Sequence, residues 1–217
     1  MCERGSFANN GKCVDAILFA LPMENTDGSL ISGVIGLDHE PADGESALDC
    51  VSYRGEPFPS CYDNHTGTDF ILFGGFDTMD NGSAVVFAAA DGEVVEVHDG
   101  EFDRCRLNFQ TQRVECENGG PVTPANRIAI AHADGRRTEY LHLKKDSITV
   151  AVGDRVVCGE PMALVGSSGN SSMPHLHFTL VDVDGSEVDP YAGRYSQPDT
   201  AWVDQSAAHD LPTASCQ

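Results

Sequence analysis

From residue 69 onward the chain is cut into short, apolar-rich runs by closely spaced turn signals: Asp91-Gly92, Asp134-Gly135, Gly153-Asp154 and Asp184-Gly185. Runs this short suit strands, whereas a surface helix needs apolar residues recurring at three and four over about ten or more positions. No stretch reads as a long amphipathic helix, so the expected fold is all-β, an antiparallel sheet domain. Residues 84–90 and 93–98 flank Asp91-Gly92 and predict one hairpin. Residues 127–132 and 136–143 flank Ala133-Asp134-Gly135 and predict a second. Residues 161–165 predict a short strand, and a last strand runs from His175 to the turn at Asp184-Gly185.

The part before residue 62 is less regular. Residues 1–13 read as an irregular arm, residues 14–21 as a buried strand and residues 31–37 as another, while residues 38–59 form a long acidic surface excursion rich in Gly, Pro and Ser. Three regions follow: residues 1–61 as an arm and strands packing on or extending the main domain, residues 62–195 as the main domain, and residues 196–217 as a tail. A length of 217 residues with 41% hydrophobic content is enough for a real core.

Charge and cysteines narrow the functional classes. The balance of 13 basic against 34 acidic residues, net −21, disfavours nucleic acid and anionic membrane surfaces as partners. No apolar run approaches the ~18 residues of a membrane-spanning helix. Eight cysteines without a C-x-x-C pair point to disulfides and an exported, periplasmic or extracellular location. Neighbour spacing suggests Cys2–Cys13, Cys50–Cys61 and Cys105–Cys116, leaving Cys158 with Cys216. Cys2 is alternatively a lipid-anchor site.

The chemistry is concentrated in histidines. In His175-Leu176-His177, an extended backbone points both imidazoles to one face and Leu176 and Phe178 to the other. His65-x-Gly67-x-Asp69 and Tyr140-Leu141-His142-Leu143 supply further candidates, with Gly67 read as allowing a tight turn. Histidine and aspartate are suitable zinc ligands, and a catalytic zinc site keeps three protein ligands and an open position. Five candidates exceed that number, so the surplus histidines are available for proton transfer or oxyanion stabilisation.

Taken together, HTGTDF (residues 65–70), VVFAAADGEVV (85–95), YLHL (140–143), VGDRVVCGEPMALVGSSGNSSMPHLHF (152–178) and DPY (189–191) resemble the lysostaphin-like, or LytM-type, zinc endopeptidases that cut peptide bridges of bacterial peptidoglycan. The resemblance implies that His65, Asp69 and His177 bind Zn2+ and that His142 and His175 are the catalytic pair acting with a zinc-activated water. It implies a secreted endopeptidase, expected to act as a monomer on peptidoglycan peptides or other glycine-rich peptides. The alternative within the family is a non-catalytic regulator or binder of cell-wall hydrolases. Met173 stands where a small residue is usual, and residues 105–116 are an elaboration.

Other residues receive plainer readings. His132 is expected to be structural, and His39, His98 and His209 solvated. Ser167, Ser168, Ser171 and Ser172 lack a G-x-S-x-G setting and are expected to be loop hydrogen-bonders lining the groove. Trp202 is expected to pack the tail onto the domain, and the acidic clusters at 38–45 and 182–189 to be surface.

Overall fold

A computed structural model describes residues 6–9, 12–25, 28–41, 46, 48–205 and 211–216. Among these the main sheet is antiparallel and runs in the order β11 (Arg155–Val156), β6 (Gly92–His98), β9 (Arg127–Ala131), β10 (Arg137–Leu141), β13 (His175–Val181), β4 (Thr68–Leu72), β3 (Ile31–Ile35), with β14 (Glu187–Val188) also on β13. Smaller antiparallel pairs are β1 (Ser6–Asn9) with β2 (Lys12–Asp15), β5 (Val85–Phe87) with β12 (Pro161–Leu164), and β7 (Cys105–Asn108) with β8 (Arg113–Cys116). The α-helix α1 is short, Phe76–Asn81. The all-β expectation holds, and no helix among the described residues is long and apolar enough to cross a membrane.

Strand β13 organises the molecule, because all seven of its residues are buried. Its odd and even positions differ in kind: Leu176, Phe178 and Leu180 enter the core, whereas His175, His177 and Thr179 share the opposite face. On the core side Phe178 meets Tyr140 edge-on at 5.4 Å and stacks on Trp202 at 5.4 Å. Trp202, fully buried, anchors the tail as expected. Truncating such a side chain typically costs about 3–5 kcal/mol.

The hairpin at Asp134-Gly135 forms as β9–β10, with Gly135 at φ 96°. The one at Asp91-Gly92 does not: β5 pairs with β12, and β6 pairs with β9 and β11, so the two flanking strands belong to different sheets. Gly92 is there for proximity rather than for a turn. A Cβ on it would lie 2.4 Å from Ile130 Cγ2 and 2.6 Å from the Ala131 carbonyl. Asp91 is likewise tied elsewhere, its Oδ1 accepting from Cys158 N and its carbonyl from His132 Nδ1.

The N-terminal part also departs from expectation. Residues 14–21 are not one strand: β2 ends at Asp15, and Phe19 makes a single parallel bridge to Trp202. Its backbone partners are Ala201 and Val203, while Ala20 bonds to Ala89 and Leu21 to Thr213, so the segment meets three separate stretches instead of lining one neighbour. Strand β3 forms within residues 31–37 and extends the main sheet beside β4. The acidic clusters are not wholly surface. Asp38 and Asp189 are 5% and 2% exposed. Asp38 accepts from the backbone of Glu40, Val51 and Asn64, and Asp189 from Tyr191 N and His39 Nε2. His39 is therefore a bonded residue rather than a solvated one, because buried carboxylates need donors. Disulfides Cys50–Cys61, Cys105–Cys116 and Cys158–Cys216 form as expected. Cys2 and His209 lie outside the described residues.

Candidate metal centre

The polar face of β13 meets β4 in register, with His177 opposite Asp69 and His175 opposite Ile71. That pairing sets the Asp69 carboxylate against the His177 ring, Oδ1 to Nδ1 at 2.8 Å. The loop entering β4 delivers His65, whose Nε2 lies 3.1 Å from Asp69 Oδ1 and 3.1 Å from His177 Nδ1. Gly67 makes this closure possible, again by close approach. A Cβ there would stand 2.6 Å from the Phe178 carbonyl and 2.9 Å from Thr179 Oγ1.

The outer nitrogens of these rings are engaged. His65 Nδ1 donates to the Gly36 carbonyl at 2.6 Å, and His177 Nε2 meets Thr179 Oγ1 at 3.0 Å. With protons on those outer atoms, two nitrogen lone pairs and a carboxylate oxygen face one another in a buried space. Three acceptors this close need a cation or a shared proton between them. For tetrahedral bonds of about 2.0–2.1 Å the edge between ligand atoms is about 3.3 Å, close to the separations here. The His65, Asp69 and His177 donor set thus fits a divalent metal.

His142 and His175 join the same cluster. His175 Nε2 lies 3.4 Å from Asp69 Oδ1, and its Nδ1 donates to the Met173 carbonyl at 2.6 Å. His142 follows Leu141, the last residue of β10, which is paired with His177. Strict alternation would turn His142 to the same side as Tyr140, into the core. Instead its backbone is left-handed, φ 62°, and its ring comes to 4.6 Å from that of His175 and 5.9 Å from that of His177. A non-glycine residue held in this region is costly and marks a place where the surroundings dictate conformation. Its Nδ1 donates to the Ser168 carbonyl at 2.7 Å, leaving Nε2 for the centre.

Electrostatics follow from burial and mutual proximity. Burial, with the charges of His175 and His177 adding to it, pushes His142 down to about 3. Burial would raise Asp69, but the charges of His175 and His65 and hydrogen bonds from His175 and His177 prevail and hold it well below the usual carboxylate range. For His175 burial opposes the charged form, and the Asp69 carboxylate outweighs it, raising the imidazole. Burial, then Asp69, raises the Tyr62 hydroxyl above its ordinary value.

The structure brings all five sequence-predicted residues together. It also adds groups that the motifs did not single out. Tyr62 stacks on His65 at 4.1 Å. Thr179 orients His177, and strand periodicity, which places it on the face of His175 and His177, was the signal for it. Gly36 and Asp38 hold the His65 segment from outside the main motifs: Asp38 N donates to the His65 carbonyl. No local pattern marks those two. Ser167, Ser168 and Ser171 are fully buried hydrogen-bonders, whereas Ser172 is exposed. His132 is structural, its nitrogens meeting the Asp91 carbonyl and Thr138 Oγ1.

The chain is similar to several known proteins. Glycyl-glycine endopeptidase ALE-1 of Staphylococcus capitis is 34% identical over 116 residues, 53% of this chain and 24% of that protein. DD-carboxypeptidase/endopeptidase Mpg of Neisseria meningitidis serogroup B is 28% identical over 181 residues, 83% of this chain and 34% of that protein. The chain thus spans about a third or less of the length of these curated relatives. A solved zinc containing peptidase from Vibrio cholerae aligns at 25% identity with a TM-score of 0.49, over 90% of this chain and 46% of that chain. The model of peptidase family M23 matches residues 63–190, more than half of the sequence, and the chain belongs to that family.

Proposed function

We propose that the protein is an exported zinc endopeptidase that hydrolyses peptide cross-bridges of bacterial peptidoglycan. The observation that carries this reading is the buried triangle of His65 Nε2, Asp69 Oδ1 and His177 Nδ1, with two further histidines beside it. The names of the relatives support the substrate class, since they include glycyl-glycine and DD-endopeptidases. Glycine and D-amino acids are the residues expected at the cleaved bond. One chain carries every group, so the proposed enzyme acts as a monomer without needing a second copy to complete the site.

His65, Asp69 and His177 would hold the zinc. Bound there, zinc lowers the pKa of a water and polarises the scissile carbonyl. The remaining work belongs to the protein. The Nε2 of one of His142 and His175 accepts the water's proton, and an imidazolium, that ring once protonated or the other in its doubly protonated form, donates from Nε2 to the developing oxyanion or to the leaving amine. Carbonyls of Ser168 and Met173 fix both rings in the tautomer that leaves Nε2 inward. The Gly36 carbonyl and Thr179 hydroxyl fix the ligand rings in turn, leaving His65 Nε2 and His177 Nδ1 inward. The reading as a non-catalytic regulator would be favoured by a missing ligand or histidine, and the described residues hold all five.

Metal analysis of the purified protein, together with mass spectrometry of digested sacculi, tests this. About one zinc per chain and new muropeptide ends are expected. His142→Ala and His175→Ala should each keep the metal and lose about 10²–10⁴-fold in rate. Unchanged sacculi alongside a stimulated partner hydrolase would support the regulatory role instead.

A further inference from the structure

Of the rings in the centre, His175 has the most elaborate support. Its Nδ1 faces the Met173 carbonyl at 2.6 Å and Ser171 Oγ at 3.3 Å. Ser171 Oγ lies 2.8 Å from Ser167 Oγ, which donates to the Cys105 carbonyl at 2.6 Å. Both hydroxyls are fully buried. The chain therefore ends on a residue of β7, in the elaboration at 105–116.

The same strand grips the serine loop through its backbone. Cys105 N donates to the Ser167 carbonyl at 3.1 Å and Leu107 N to the Ser172 carbonyl at 2.9 Å. The Cys105–Cys116 disulfide closes the base of this hairpin, and Arg104 beside it pairs with Glu117 and Asp80. Its tip is a surface feature, with Phe109 75% exposed. Its base is not.

We propose that Ser167 and Ser171 are positioning residues for His175, anchored by the disulfide-braced hairpin; this rests on the peptidase reading above. Counting protons gives the direction. Ser167 donates to the Cys105 carbonyl, Ser171 donates to Ser167 Oγ or to the Met173 carbonyl, and a lone pair of Ser171 is left facing the His175 Nδ1 proton. The Met173 carbonyl can only accept, so it keeps the His175 proton on Nδ1 and Nε2 as the reacting nitrogen, while Ser171 and Ser167 hold that carbonyl and the ring in place. The hairpin is then part of the catalytic support.

The test compares wild type with Ser171→Ala, Ser167→Ala and the double variant Cys105→Ala/Cys116→Ala, each loaded with zinc. Long-range proton–nitrogen NMR of the His175 ring should show an Nδ1-protonated ring in wild type and shifted, broadened ring signals in the variants, where the ring is held less firmly. The kcat should fall about tenfold while KM stays within about twofold and zinc content is unchanged. A folded Ser171→Ala protein with the wild-type ring pattern and kcat would overturn the proposal; if it does not fold, Ser167→Ala and the cysteine variant decide by the same readouts. A wild type that cuts no sacculus defeats the peptidase reading alone, since the ring-nitrogen comparison still decides the positioning role.

Discussion

The Cβ that Gly67 lacks would stand 2.8 Å from Nε2 of His177. The segment that delivers His65 thus passes against the ring of another proposed ligand, and only a residue without a side chain fits between them. Gly67→Ala should push the His177 ring off Thr179. A stability loss of about 1–3 kcal/mol is expected from such overpacking, with zinc affinity reduced by about tenfold or more. Denaturant titration and competition with a chelating dye measure the two effects separately.

Removing the metal should expose the mutual repulsion of the His65, Asp69 and His177 acceptors. Chelation is expected to lower Tm, and zinc to restore it. A free concentration of 100 times Kd corresponds to about 2.7 kcal/mol of added stability. His177→Ala should abolish this zinc response while leaving a folded protein. A wild-type Tm indifferent to both chelator and zinc would count against the centre.

Asp38 ties the His65 segment to the N-terminal part by accepting from Val51 N at 3.0 Å and Asn64 N at 3.1 Å. Asp38→Ala leaves those donors without their acceptor and should cost about 1–3 kcal/mol. Because Asn64 precedes His65, zinc affinity should fall too. Isothermal titration with zinc, beside a thermal melt, checks both.

Burial lowers the pKa of His132 below the ordinary 6.5. Above pH 6.5 neither the folded nor the unfolded form carries this proton. As pH falls below 6.5 the unfolded chain takes it up first, so stability declines until the depressed folded value is passed. The slope from one such group is at most about 1.4 kcal/mol per pH unit. His132→Gln should flatten the wild-type loss of stability between pH 7 and 5, as read by denaturant midpoints at each pH.

Much of the centre was legible because a strand's period of two needs no context. His175 and His177 share a face wherever that strand lies, and Thr179 follows by the same rule. The turn at Asp134-Gly135 was equally local, since Gly135 adopts the left-handed backbone itself. Asp91-Gly92 misled because the same two letters serve another need, the close passage of Gly92 over Ile130.

The sequence by itself determined the all-β character and the face on which His175 and His177 stand, since each depends on local spacing, and neighbour spacing suggested the cysteine partners at 50–61, 105–116 and 158–216 that the structure holds. Only the tertiary structure decided that His142 leaves the strand alternation to join the other rings, that Asp38 and Asp189 are buried anchors, and that the hairpin at Cys105 reaches His175 through Ser167 and Ser171. Those outcomes depend on which distant segments supply the hydrogen-bond partners of buried polar groups. That matching is a property of the packed molecule and has no local signature.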